Sequence, residues 1–568
     1  VLSQFQSFSF VSYFLVSRTH SIPLNNCLAV MRLTRREQYP TLQERIVAAK
    51  LRLEHSPIIK ASSSNNASST SFIISPSAAK TAFSKHELVV PNDDDDDDDD
   101  DDSTDSKSSK SSTSEISVEK KKREKSAACY ANLRKPTKPT KLLQDALTNA
   151  NGDTWTRQRY CVSRDFAVEK ALRQSCATYA VDKMLSIIQQ VNNNNSKNTS
   201  LLKSWRTSVS WMAKRNDRQG GGQGIRQKGK GLDVRILARE VAIHTMCRMV
   251  LGSQRGTNPI VLDSLRGMFA DTLQPLRTEQ YSKKLMKNVE RLDAAVRSMV
   301  EDISKDDEIR KKQQGDCLAW RLLSYERKDE QSSSSSSSSR IEYYLTRDEI
   351  VGNSHSALMA GTQTVCTTIV GAMLHLAEDA RMQEHLKQGN IAGKDIVKET
   401  LRILPPVAGL PRLPTECDLE LEYCTAKMSS SSERAEVIQK CPIPKNHLIV
   451  VDLVAFAHSQ QQQPIKEDIK EQQSHLIQQD TLKFDPLQKC KSEAQPWGIG
   501  RRKCPAGIIS VECISEVLEA MAKGGITWTF QDAKDCVGLE HCGGWMQSIS
   551  YCPTLCYSLP IYLEFTVE

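Results

Sequence analysis

The chain has 568 residues, of which 39% are hydrophobic, with a formal net charge of +7 and 17 cysteines. That length holds one large domain with insertions or several smaller ones, with enough apolar side chains for a sizeable core. The modest positive charge is spread along the chain and opposed by acidic runs, which speaks against a nucleic-acid binder. The odd cysteine count, without framework spacing, fits reduced thiols in an intracellular protein better than a disulfide scaffold.

Residues 1–45 read as a targeting or anchoring segment. No Asp or Glu precedes Glu37, whereas Arg18, Arg32, Arg35 and Arg36 do, a composition like that of an organelle transit peptide. The apolar stretch 8–16 falls short of the ~20 residues of a membrane helix, so no transmembrane span is expected. Residues 46–90 form a first folded stretch, and 91–128 a linker. An unbroken aspartate run at 93–102, followed by Ser-rich and Lys-rich sequence, repels itself and has nothing to bury.

The remainder, 129–568, reads as the main domain. "GDTWTRQRYCVSRDF" (152–166) puts Trp155 and Arg159 one helical turn apart, so an indole N–H and a guanidinium point the same way. Alone, that is ordinary packing. The basic, glycine-rich 218–231 lacks the Ser or Thr of a phosphate-binding loop after Lys230 and reads as a connection, with RNA contact as the outsider. Tracts near 328–340, 427–437 and 460–480 look like surface-loop insertions, which cost little because loop entropy grows slowly with length.

Residues 345–380 predict a long buried helix with an acidic start and a proline-free apolar middle. Within it, Ala360-Gly361-Thr362-Gln363-Thr364 predicts a notch where a ligand lies against the helix, since Gly361 costs a helix interior about 1 kcal/mol. In "VKETLRILPPVAGLPRL" (397–413), Glu399 and Arg402 share a helical face, and the helix must stop before Pro405. A second helix is predicted over 508–522. Before it, "PWGIGRRKCPAG" (496–507) encloses Cys504 in a cationic loop bent at Gly498 and Gly500. Arg501, Arg502, Lys503 and the helix N-terminus are expected to lower the thiol pKa. Near the C-terminus, Cys536, His541, Cys542, Cys552 and Cys556 lack a C-x-x-C pair and read as packing residues rather than zinc ligands.

In this order the four motifs resemble the cytochrome P-450 family of haem-thiolate monooxygenases. The matching positions are Trp155 and Arg159; Ala360, Gly361 and Thr364; Glu399 and Arg402; and Trp497, Gly500, Arg502, Cys504 and Ala506. Residues 72–88 resemble the family's early strand and short helix, and 441–459 its later strand pair. The resemblance implies a mainly α fold with small β-sheets and a long central helix crossing haem b. It implies Cys504 as the iron ligand, with Trp155, Arg159, Arg412 and Arg502 holding the propionates. Thr364 would organise a proton-carrying water, and the walls beside Ala357 and Gly361 would hold a lipophilic substrate. Electrons would come from NADPH or NADH through a flavoprotein reductase or a ferredoxin. The compartment would be a plastid, a mitochondrion or the endoplasmic reticulum surface, with peripheral membrane association allowed.

Two positions depart from the family pattern. Gln363 stands where an acid is usual, and Gln488, in F-x-P-x-Q, where an arginine usually joins Glu399 and Arg402. The first raises an alternative activity, an O2-independent isomerase or dehydratase acting on a peroxide. The second raises a catalytically impaired haem-binding homologue.

Overall fold

The computed structural model describes residues 58–62, 70–74, 146–165, 170–192, 231–269, 279–305, 317–327, 343–412, 419–428, 434–444, 448–454, 484–487, 496–498, 500–531, 549–552, 554–557 and 561–567. Strands β1 (Ile58–Ser62) and β2 (Thr70–Ile74) come first, followed by helices α1 (Gly152–Asp165) and α2 (Lys170–Asn192). After the short β3 (Leu232–Asp233) come α3 (Val234–Leu251), α4 (Pro259–Phe269), α5 (Glu279–Lys305) and α6 (Leu318–Leu323). Helices α7 (Arg347–Glu378), α8 (Ala380–Lys387) and α9 (Gly393–Ile403) lead into β4 (Gly409–Arg412), β5 (Leu419–Met428), β6 (Arg434–Ile443) and β7 (Leu448–Asp452). The chain closes with α10 (Gly507–Lys523) and strands β8 (Ile526–Phe530), β9 (Ile549–Cys552), β10 (Thr554–Tyr557) and β11 (Tyr562–Val567).

The central helix starts where its capping chemistry dictates. The Thr346 hydroxyl accepts from the Glu349 N–H at 3.2 Å, and the Glu349 carboxylate accepts from the Thr346 N–H at 2.9 Å, closing a capping box. Glu349 also receives Arg157 Nη1 of α1 at 2.8 Å and Gln158 Nε2 at 3.0 Å, so the same residue starts α7 and fastens α1 to it. Burial alone would raise the Glu349 pKa. These donors outweigh it and hold the carboxyl below its ordinary value. By length and composition α7 could cross a membrane, but 61% of its apolar window is buried in the fold. It packs on α3, α5, α9 and α10.

Strands β1, β2, β7 and β4 form one sheet in that order, with β2 running parallel to β7 from Ser71↔Leu448 to Ile74↔Val451. Sequence on both sides of the aspartate run therefore shares a sheet. The predicted early strand is β2; residues 75–88, with the short helix expected there, lie outside the described residues. So do 1–45, the linker 91–128, and the tracts 218–230, 328–340 and 460–480. The expected insertion at 427–437 is different in kind. Met428 pairs with Arg434 at the far end of the β5–β6 ladder, so residues on both flanks of this serine-rich tract are strand rather than loop.

Candidate functional site

The cysteine loop is built by two glycines and a short set of backbone bonds. Gly498 and Gly500 adopt φ of 76° and 72°, a region open mainly to glycine. The Cys504 N–H donates to the Trp497 carbonyl at 2.8 Å and the Lys503 N–H to that of Gly500 at 3.1 Å. Helix α10 begins at Gly507, with Ala506 as its cap residue. Its apolar face runs through Ile509, Cys513, Ile514, Val517, Leu518 and Met521, all buried. Ile508, the first residue of the helix predicted over 508–522, is 79% exposed although apolar.

Arg501 and Arg502 do not act on the thiol. Both guanidiniums lie over the buried Trp155 ring, 5.7 and 4.8 Å from its centroid, and Arg502 Nη2 donates to the Ala150 carbonyl at 2.9 Å and to Asn151 Oδ1 at 2.7 Å. They pin the loop to the start of α1. The expectation that the cationic loop lowers the Cys504 pKa is corrected accordingly. Burial pushes the thiol above its ordinary value, and the opposing pull of the Ala506 N–H, Arg159 and Lys503 is weaker. Arg159, from the other end of the W-x-x-x-R motif, is the cation that α1 aims at this sulfur. Burial lowers its own pKa, Cys504 opposes that, and it has no hydrogen-bond partner among the described residues.

Arg412, on β4, is 5% exposed, and burial brings it down to about 10. On α7, Ala357, Ala360, Gly361 and Thr364 are only partly buried and recur at helical spacing. The Thr364 hydroxyl donates to the Ala360 carbonyl at 2.8 Å. The predicted notch at Gly361 is filled by protein. A Cβ there would lie 2.3 Å from Met246 Cε of α3, so the glycine buys close approach of two helices rather than ligand space.

The motif pair Glu399 and Arg402 forms a buried two-point ion pair, with Arg402 Nε and Nη2 at 2.8 and 2.7 Å from the carboxylate oxygens. Gln488, Lys489 and Lys491 lie outside the described residues. The Asp485 N–H donates to Glu399 Oε1 at 3.1 Å, so the F-x-P segment itself supplies a third donor. Sequence reasoning missed that donor and the Arg157–Glu349 bond. T-x-x-E at 346–349 is a readable capping signal, whereas a backbone N–H carries no sequence signal at all.

A thiol with a raised pKa beside an unbonded guanidinium fits a metal-bearing group with acidic side arms. A metal ion deprotonates a coordinating thiol outright, and arginine binds a carboxylate through two parallel bonds. Cys504 would hold the iron of haem; Arg159, Trp155 and Arg412 would hold its propionates. The fold is mainly α, and the residues of this site fit a haem-thiolate arrangement.

No family model matches the chain. It is 34% identical over 88 residues to cytochrome P-450 109 of Bacillus spizizenii, covering 16% of this chain and 22% of that protein. To cytochrome P-450 705A5 of Arabidopsis thaliana it is 21% identical over 372 residues, covering 59% and 65%. The chain spans less than two thirds of the length of either relative. Its structure superposes on CYP108D1 of Novosphingobium aromaticivorans with a TM-score of 0.57 at 13% identity, covering 96% of this chain and all of that one. A zebra fish cytochrome P-450 solved with abiraterone gives 0.56 at 13%, covering 92% and 99%. The chain carries the fold of the cytochrome P-450s and resembles members of that family in sequence over part of its length.

Proposed function

We propose that this chain is a haem-thiolate monooxygenase hydroxylating a lipophilic small molecule. The observation that carries the reading is the Cys504 loop, closed on itself by backbone bonds and clamped to Trp155 by two arginines. Haem b bound there supplies reductive O2 activation: with two electrons from NADPH or NADH through a redox partner and two protons, one oxygen enters a substrate C–H bond and the other leaves as water. Cys504 donates the sulfur, and Arg159, Trp155 and Arg412 orient the propionates. Thr364 offers a hydroxyl in mid-helix, where it can position a water. Gln363 hydrogen-bonds but cannot titrate, so proton transfer runs through water rather than a carboxylate at that position.

The test is a spectrum. The purified protein should bind haem, and its reduced carbon-monoxide complex should show the red-shifted Soret band of thiolate ligation. Cys504→Ser should lose that band, and Cys504→His should move it to the position of neutral nitrogen ligation. A haem-free wild type, or a thiolate band persisting in Cys504→Ser, would defeat the reading. Turnover of a hydroperoxide without reductase or O2 would favour the isomerase alternative that Gln363 suggests.

Arg501 and Lys503 are exposed beside the ligand loop. A solvated basic patch there steers an acidic electron donor, with steep salt dependence. Lys503→Glu should slow iron reduction at low ionic strength while sparing haem binding. Equal reduction rates for variant and wild type would rule out docking at this loop.

A further inference from the structure

A cavity of about 40 Å³ lies between α3, α4, α7 and β10. Thr362, Cys366 and Val370 of α7 line it at four-residue spacing, and Gln363 and Thr367, one turn from Ala360 and Thr364, line it as well. Ile236, Phe269 and Val370 make its walls mostly apolar. Its polar lining includes Arg239, 8% exposed, and Thr362, fully buried.

Neither polar group is satisfied by a described residue. Arg239 Nε and Thr362 Oγ1 are buried and have no hydrogen-bond partner among the described residues, and Arg239 makes no ion pair among them. The acids nearby are already committed. Asp233 closes on Arg235, with Nη2 at 2.7 Å, and Arg235 Nη1 also donates to the Tyr557 carbonyl at 2.9 Å. Glu240, next to Arg239 in sequence, is held by Arg266 Nη2 at 2.7 Å. A buried guanidinium without an anion is among the costlier arrangements in a protein interior.

We propose that this cavity is a binding site for a small monocarboxylate the size of acetate, whose two oxygens and methyl group match room for roughly three water-sized groups. Arg239 takes the carboxylate, the Thr362 hydroxyl donates one further bond, and the methyl group lies against Ile236, Phe269 and Val370. The apolar walls select a carboxylic acid over an inorganic oxyanion, because sulfate would leave its remaining oxygens facing carbon. Gln363 reaches the same cavity, so a carboxylate built there would substitute for the ligand.

The test uses the full-length protein as purified, with thermal unfolding followed at constant ionic strength while acetate, butyrate or sulfate replaces chloride. Acetate should raise the melting temperature saturably and at lower concentration than butyrate, with no saturable rise in sulfate. Arg239→Gln should abolish the acetate response and melt higher than wild type in chloride alone, since it removes a buried charge with no ion pair among the described residues. Gln363→Glu should also melt higher in chloride and lose the response. No saturable rise with acetate in the wild type, an equal rise in Arg239→Gln, or sulfate matching acetate would overturn the assignment. If Arg239→Gln does not fold, a Gln363→Glu protein still responding like wild type would overturn it alone. The reduced carbon-monoxide spectrum, recorded in parallel, reports on the haem reading separately, so either idea can fail without the other.

Discussion

His244 of α3 is 7% exposed, set edge-on to Tyr179 with its Nε2 4.0 Å from Glu240. Burial lowers its pKa to about 4; Glu240 opposes that, while Arg266, Lys183 and Arg248 add to it. The unfolded chain takes up this proton near pH 6.5, whereas the folded chain refuses it until about 4. The neutral ring thus contributes stability in full above pH 6.5, and that contribution is lost between about 6.5 and about 4, of order 3 kcal/mol. Urea unfolding across this window should show a steep fall for the wild type and a shallower one for His244→Gln; parallel curves would refute the assignment. Glu349 acts in a separate, lower range, because a carboxyl held below its ordinary value loses its stabilising effect only as pH falls beneath about 4.5. At this scale the sequence was partly legible. Cys504, Trp155 and Arg159 were singled out through the family that the ordered motifs resemble, whose residues lie within a few positions of one another; spacing alone left Trp155 and Arg159 as ordinary packing. The sign of the thiol shift could not be foreseen, because it depends on how much protein packs around the sulfur, and so does the direction in which Arg501 and Arg502 turn.

The elements were more legible than their contacts. A helix predicted over 345–380 runs Arg347–Glu378, and one predicted over 508–522 runs Gly507–Lys523, because capping residues, apolar spacing and the proline after α9 are local signals. What a glycine is for depends on the partner helix. Gly361 meets the flexible end of Met246, whereas a Cβ on Gly256 would sit 2.7 Å from backbone atoms of Arg248 and Cys247. Gly361→Ala should therefore change stability by less than about 1 kcal/mol, as helix propensity offsets the displacement of Met246. Gly256→Ala should cost about 1–3 kcal/mol, because backbone atoms at the end of α3 cannot swing aside. Chemical denaturation decides between them, and both variants should keep the wild-type carbon-monoxide band. A band shifted in Gly361→Ala would mean that this glycine faces the haem after all, as its motif position suggested.

At the scale of the whole molecule, two strands near the start of the chain complete a sheet whose other strands follow α9. No local pattern announces such a pairing, since β2 is short and Leu448, the partner of its Ser71, lies 377 residues downstream. The sheet also shows what the acidic tract must be able to do: let the chain run from Ile74 at the end of β2 to Ala146 ahead of α1. Removing residues 93–125 leaves roughly 38 residues for that path, which extended would reach more than about 100 Å. By loop-closure arithmetic, halving the length of a connection changes its closure entropy by only about 0.6 kcal/mol, in the direction of greater stability. The tract offers no apolar side chain between Asp93 and Ser114 with which to contribute to a core. The deletion variant should therefore incorporate haem fully, give an unshifted carbon-monoxide band, and unfold within about 1 kcal/mol of the wild type. Loss of the band, or destabilisation well beyond that limit, would show that the tract is part of the folded structure that holds the β1–β2 pair against β7.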